Sequence, residues 1–368
     1  MLNELFLKYG FSQNDYNSIM NTYPIYNMNI NSLEQRFVDC FDFFLSLGYT
    51  NEDSRKIIIS FPTSITLSSN NILIKLNNLY SFGFSRKNVL NIVKNFPCIL
   101  GYNIKVINQK IEFLKKLGYN DDVFKIIIKY PLILGLKTES IKNKFLYFKS
   151  LNYSNEDIIK MTKNLPSLYG LSESYLNDKF SYFENMGFTK QDVRKITTKS
   201  SNLFCLSESN LEQKIKYFEN LGVNTIDIKK IIIDFPNIFS LSEDNISLKI
   251  DIFLQFGYSM NEIIDIIVQF SGILGFSTDA IWQKLNFYEE TNLKFVVLKE
   301  ARQLMQSTKL NYARYNYLTK EIKINITDDN YRLLFIGNNQ FVKYFGISKE
   351  ELLSVSPQLS LNRKNKQI

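Results

Sequence analysis

The chain has 368 residues and no histidine. That absence removes zinc sites built on imidazole, Ser-His-Asp and Cys-His nucleophile systems, and any histidine general base. Glycine is scarce at 14 residues, and neither a GxxxxGK[ST] phosphate loop nor a GxGxxG turn occurs. The three cysteines, Cys40, Cys98 and Cys205, lie far apart with no CxxC, and they read as reduced core residues. No apolar run approaches the ~18 residues of a membrane span. The N-terminal stretch carries Glu4 and Asp15 without arginine and reads as neither a signal peptide nor a good organellar presequence. With no nucleophile–base pair visible, the expectation is a protein that is not an enzyme and uses no cofactor or metal. What is abundant is core material: 45% hydrophobic residues, including 30 Phe and 22 Tyr. Lys and Arg outnumber Asp and Glu by 44 to 36, a net charge of +8 that favours an anionic partner.

Internal repetition organises the chain. Gly10, Gly48, Gly83, Gly118, Gly187, Gly222 and Gly257 are spaced by 38, 35, 35, 69, 35 and 35 residues, and Asn152 takes the glycine place in the long gap. Pro24, Pro62, Pro97, Pro131, Pro166 and Pro236 keep the same period, with Ser201 and Ser271 in two further proline places. At least eight copies span 1–292. After each glycine comes an aromatic or apolar residue, then a cap residue with an acid three positions on. Thr50 with Asp53, Ser154 with Asp157, Thr189 with Asp192, Asn224 with Asp227 and Ser259 with Glu262 are examples. This is capping-box grammar for a short helix that the proline ends. A tight apolar link such as Cys98–Gly101 follows and reads as a 3₁₀ turn. Ser172, Ser207, Ser242 and Ser277 then open a longer helix, whose apolar face is exemplified by Leu176, Phe180 and Phe183 and by Leu211, Ile215 and Phe218. The glycine is its left-handed cap. One copy cannot bury its apolar face alone, but stacked copies can. The fold expected is an all-α solenoid of ~35-residue helical repeats.

The phrases Gly187-Phe-Thr-Lys-Gln-Asp-Val and Phe235-Pro-Asn-Ile-Phe-Ser-Leu-Ser242 resemble the repeat of the mitochondrial transcription termination factor (mTERF) family. The resemblance covers about 1–320. It implies a left-handed superhelix of three-helix repeats that binds double-stranded nucleic acid. Family members act in organellar transcription termination, replication, RNA processing or ribosome assembly. The TAL-effector-like repeat has the same period, but its base-reading loop falls where this chain has apolar Phe-Pro-x-Ile-Leu, so the mTERF reading is favoured over it.

Thirteen residues after each proline place, from the second copy onward, stands a lysine: Lys75, Lys110, Lys144, Lys179, Lys214, Lys249 and Lys284. No carboxylate stands four residues before or three after any of them, although solvated helix faces favour such pairs. The column therefore reads as a phosphate track, against the alternative that each lysine flanks the apolar stripe and snorkels. Arg314 extends the column in phase, and Arg302 and Lys309 lie near it in sequence. A second column, Lys56, Lys125, Lys160, Lys195 and Lys230, has an acid three residues earlier in each case and reads as local ion pairs.

From 293 onward thirteen Lys plus Arg face six acids, so this end carries nearly all the net charge. The organisation expected is a repeat array over 1–292, degenerate basic repeats or a cap over 293–357, and a mobile basic tail over 358–368. Within the cap, Ile322, Ile324 and Ile326 suggest a short strand or an irregular link, and Asp328–Asp329 a cap for a helix reaching about Phe345. The function expected is double-stranded DNA binding with a role in transcription termination or regulation. The alternative is RNA binding or a protein-interaction scaffold in ribosome assembly or RNA processing. The partner expected is nucleic acid, with double-stranded DNA favoured over RNA; a protein partner is left open, no membrane is expected, and the chain is expected to be a monomer. The location expected is intracellular: mitochondrion or plastid in a eukaryote, cytoplasm otherwise.

Overall fold

A computed structural model describes residues 2–355; Pro357 and the basic tail expected over 358–368 lie outside the described residues. Among the described residues there is no strand. The repeat is visible as short helix, 3₁₀ turn and long helix. In one copy these are Thr225–Asp234, Pro236–Ser240 and Glu243–Gln255.

The sequence grammar explains each joint. Ser12, Ser154, Thr189 and Ser259 accept from the backbone N–H three residues on, and the acid there bonds back to the cap residue's own N–H. These boxes satisfy donors that the first helical turn leaves open. The short helix ends two residues before the proline place. Phe61 and Phe235 have φ of −142° and −134°, outside the helical region, as a following proline demands. Ser200 and Phe270, which precede serines in the proline place, adopt the same geometry at −139° and −146°. Proline is therefore sufficient for the break but not required. After the long helix the chain turns through a left-handed residue. Gly48 has φ 102° and Asn152, in the glycine place, 64°; asparagine tolerates that region better than any branched residue.

The chain forms two compact units, Met1–Lys179 and Phe180–Ile368. Within each, like elements stack on like. In the first, Asn51–Ser60 packs on Arg86–Asn95, and that helix on Val123–Lys129. In the second, the short helices Lys190–Lys199, Thr225–Asp234, Met260–Gln269 and Lys294–Lys299 follow one another, as do the long helices Glu243–Gln255, Thr278–Glu290 and Thr308–Asn316. The core runs between these layers. Ile246, Ile250 and Phe253 of the long helix, Ile263, Ile266 and Ile267 of the next short helix, and Ile273 and Leu274 of the next 3₁₀ turn are all buried. Of the expected apolar faces, Leu176, Phe183, Leu211 and Phe218 are buried, while Phe180 and Ile215 are half-buried.

The repeat continues in phase beyond 292, through Lys294–Lys299, Ala301–Met305 and Thr308–Asn316. A tenth copy has its 3₁₀ turn at Tyr331–Leu334 and its long helix at Asn338–Phe345. Irregular chain replaces its short helix, so the alternating isoleucines form no strand. The single helix expected from Asp328 to Phe345 is two elements, because Gly337 separates them in extended conformation. All three cysteines are free thiols: Cys40 is buried, but Cys205 is exposed rather than in the core. Burial lifts the Cys40 thiol to about 12.

Candidate nucleic-acid interface

The lysine column lies in one phase, but the stack takes up its cations. Lys110, Lys144, Lys179, Lys214, Lys249 and Arg314 are each at most 7% exposed; Lys75 and Lys284 are half-buried. Lys75, Lys110, Lys249, Lys284 and Arg314 each bond a backbone carbonyl at, or just past, the 3₁₀ turn of the next copy. Lys75 Nζ donates to Tyr102 O at 2.7 Å, Lys249 Nζ to Leu274 O at 2.5 Å and Lys284 Nζ to Gln306 O at 2.8 Å. Lys110 donates to Leu136 O. Arg314 donates to Leu334 O and Ile336 O at 2.9 and 2.7 Å, and to Asn338 Oδ1 at 2.9 Å. Lys144, Lys179 and Lys214 lie over the rings of Tyr147, Tyr175 and Tyr217 at 5.3–5.9 Å. Burial lowers the pKa of Lys110, Lys144, Lys214, Lys249, Lys284 and Arg314.

The missing carboxylates now have a physical account. The counterpart of each bridging cation is the carbonyl end of a short helical turn, where the backbone dipole is negative. At these five positions the column is a seam that ties a copy to its successor. A second seam runs the opposite way. On the short helices, Arg55 donates to Tyr9 O at 3.3 Å, Lys229 to Gly187 O at 3.3 Å and Lys294 to Phe256 O at 2.7 Å. All three sit seven residues before a proline place and reach the carbonyl end of an earlier long helix.

The second expected column is only partly a set of local pairs. Lys125 meets Asp122 at 2.9 Å, but Lys56 pairs with Glu52 rather than Asp53. Asp53 instead meets Lys94 of the next copy at 2.6 Å, and Asp122 also meets Lys163 at 2.6 Å. Among the described residues Lys160, Lys195 and Lys230 form no ion pair.

The charge left in solvent lies along, or just beyond, the outer stripe of the long helices, and its sign differs between groups of copies. In the copies at Pro97 and Pro131 it is basic: Lys105, Lys116, Lys142 and Lys149 are exposed and unpaired, and Lys137 precedes the second of these helices. Glu112 and Glu139 are the exceptions, and Glu112 is neutralised by Lys115 at 3.0 Å. The last copies return to this sign through exposed Lys309, Lys320 and Lys343. Arg302 is exposed and donates to Gln269 O at 3.3 Å. Between these regions the same stripe is acidic, with Glu208, Glu212 and Glu219 on Glu208–Asn220 and Glu243, Asp244 and Asp251 on Glu243–Gln255. Sequence reasoning missed this pattern because each copy's buried lysine cancels an exposed acid in the sum. Only a count restricted to the solvent-facing positions finds it.

The mTERF family signature matches residues 3–118, 117–218 and 181–299, which together span most of the chain. The chain belongs to the mTERF family. No individual curated protein is significantly similar to it. Membership places this mTERF protein among nucleic-acid-binding helical-repeat proteins with transcription- or RNA-related functions. Such proteins are typically organellar. Among the described residues no helix is long and apolar enough to cross a membrane.

Proposed function

We propose that this mTERF protein binds double-stranded DNA and acts in transcription termination or its regulation. Its phosphate contacts would come from the exposed outer stripe rather than from the buried column. The observation that carries the reading is the set Lys105, Lys116, Lys142 and Lys149, exposed and without carboxylate partners on, or just beyond, two consecutive long helices. Lys309, Lys320 and Lys343 add a second basic region towards the C-terminus. Unpaired ammonium groups on successive copies suit a duplex, which carries one charge per ~1.7 Å of axis, against ~3.4 Å for a single strand.

The test is fluorescence anisotropy on labelled 25-mers of duplex DNA, duplex RNA and single-stranded DNA across a salt titration. Four to six neutralised phosphates give a log–log slope of roughly −4 to −5 on duplex DNA. The triple variant K105E/K142E/K149E should weaken duplex binding at least tenfold and flatten that slope. A salt-independent affinity would sink the reading, as would a triple variant that binds like the parent. Tighter binding to duplex RNA would move the function to RNA.

A further inference from the structure

A cleft of about 320 Å³ opens in the second unit, between the long helices of successive copies and the short helix Thr225–Asp234. Its floor is apolar, with Tyr182, Met186, Phe188, Ile215, Ile228 and Ile232, and Glu212, Lys216, Glu219 and Lys229 stand at its rim. One copy on, Leu254 and Ile264 occupy the places of Glu219 and Lys229, so branched apolar side chains stand where two polar ones stand here. Lys229 reaches from the short helix to the end of the earlier long helix. Its Nζ turns to Gly187 O at 3.3 Å and lies 6.0 Å from the Phe188 ring centre.

The surroundings of the cleft are anionic. Glu208, Glu212, Glu219, Glu243, Asp244 and Asp251 are exposed on the two long helices, and none is in an ion pair. Lys216 is the exposed base on those helices. This field repels phosphate, so a nucleic-acid strand is a poor occupant. An apolar floor beside a mostly acidic outer stripe on the long helices matches a segment with apolar anchors and basic side chains.

We infer that this face is a docking surface for a cationic amphipathic segment of a partner protein, whose apolar side chains enter the cleft while its Lys or Arg residues meet Glu212, Glu219 and the acids of the next helix. The surface lies on copies other than those assigned to DNA contact, so the same chain could hold both partners.

The experiment uses the full chain and a dye-labelled 18-residue helical peptide of leucine and lysine, read by anisotropy, with duplex DNA titrated in parallel. Two variants separate charge from shape. E212K/E219K should weaken the peptide at least tenfold. K229I, which puts in the lining the branched apolar residue that Ile264 is one copy on, should weaken it at least fivefold by reshaping the cleft, even though removing that lysine makes the face more acidic. Neither should change the DNA affinity more than twofold. The inference fails if the peptide does not bind or if K229I binds it as well as the parent, which would leave only diffuse charge attraction. It fails equally if E212K/E219K spares the peptide and shifts DNA affinity instead, since the face would then belong to nucleic acid.

Discussion

The helices Ile104–Leu114 and Glu243–Gln255 hold the same place in their copies. Each sends one lysine, Lys110 or Lys249, to a carbonyl at the next 3₁₀ turn. Their solvent stripes have opposite sign: Lys105 on the first, with Lys115 and Lys116 just beyond it, against Glu243, Asp244 and Asp251 on the second. The lysine the period repeats joins copy to copy wherever its cation meets the carbonyl end of the next 3₁₀ turn. What varies between copies faces solvent, and there a partner can be selected. In a repeat protein a residue found in every copy is therefore first a candidate for the joint.

The sharpest way to break this comparison is to remove buried and exposed cations in turn. Arg314→Met strips three hydrogen bonds from the last joint and leaves two carbonyls without their donor. Hydrogen bonds to charged groups contribute ~1.5–3 kcal/mol each, so the expected loss is about 3 kcal/mol in urea unfolding. Lys249→Met, with one carbonyl and Asn245 Oδ1 at stake, should cost about 2 kcal/mol. Both variants, where folded, should bind duplex DNA like the parent. Lys142→Met, on an exposed position, should leave stability within about 0.5 kcal/mol and weaken binding. If Lys249→Met abolished binding without loss of stability, the column would be a contact surface after all.

The repeat, its three elements and its caps were legible because each rests on local rules. Cap pairs, the break before proline and left-handed glycine act within a few residues. The lysine column was legible as a pattern but not as a role. Its partner is a backbone carbonyl 22 to 27 residues away, as in Lys284 to Gln306 and Lys75 to Tyr102, and a carbonyl has no letter in the sequence. The ion pairs of Asp53 with Lys94 and Asp122 with Lys163 were hidden for the same reason: they cross copies, while local spacing offered Lys56 and Lys125. In the tenth copy the alternating isoleucines left a strand and an irregular link both open, and Asp328–Asp329, read as a cap, precede only the short 3₁₀ turn Tyr331–Leu334.

A smaller effect comes from two tyrosines that each follow a repeat glycine. Tyr119 Oη lies 2.5 Å from Tyr169 Oη and also bonds Thr162 Oγ1, all buried in the first unit. In the second unit Tyr258 follows Gly257, but the places of Thr162 and Tyr169 are held by Val297 and Leu304, and the buried Tyr258 hydroxyl has no partner. Burial raises both phenols, Tyr119 far above the ordinary range. Tyr119→Phe should cost about 1 kcal/mol, and Tyr258→Phe should be neutral or stabilising, because it removes an unsatisfied polar group. Equal losses in thermal melts of the two variants would show that the hydroxyl network contributes nothing.

The smallest effect should appear in acid. In the first unit, exposed ion pairs join the short-helix layer across copies, through Asp53 with Lys94 and Asp122 with Lys163. In the second unit the equivalent Asp192 and Asp227 serve only their own helix caps, and the cross-copy pairs there, Lys299 with Asp328 and Arg332 with Glu300, lie in its last copies. The bonds from Lys163 and then Lys125 hold the Asp122 carboxyl at about 2, and the bond from Lys94 holds Asp53 below its usual value. A depressed carboxylate contributes stability above its unfolded pKa, ~3.9, and loses it as pH falls through the folded value. Between pH ~4 and ~2, therefore, the first unit's short helices should lose hydrogen-exchange protection before those of the second. Lys163→Ala should raise the Asp122 titration midpoint, followed by carboxyl NMR, and move the first unit's acid transition to higher pH. If the second unit opened first in the parent, the cross-copy pairs would not be what separates the two units in acid.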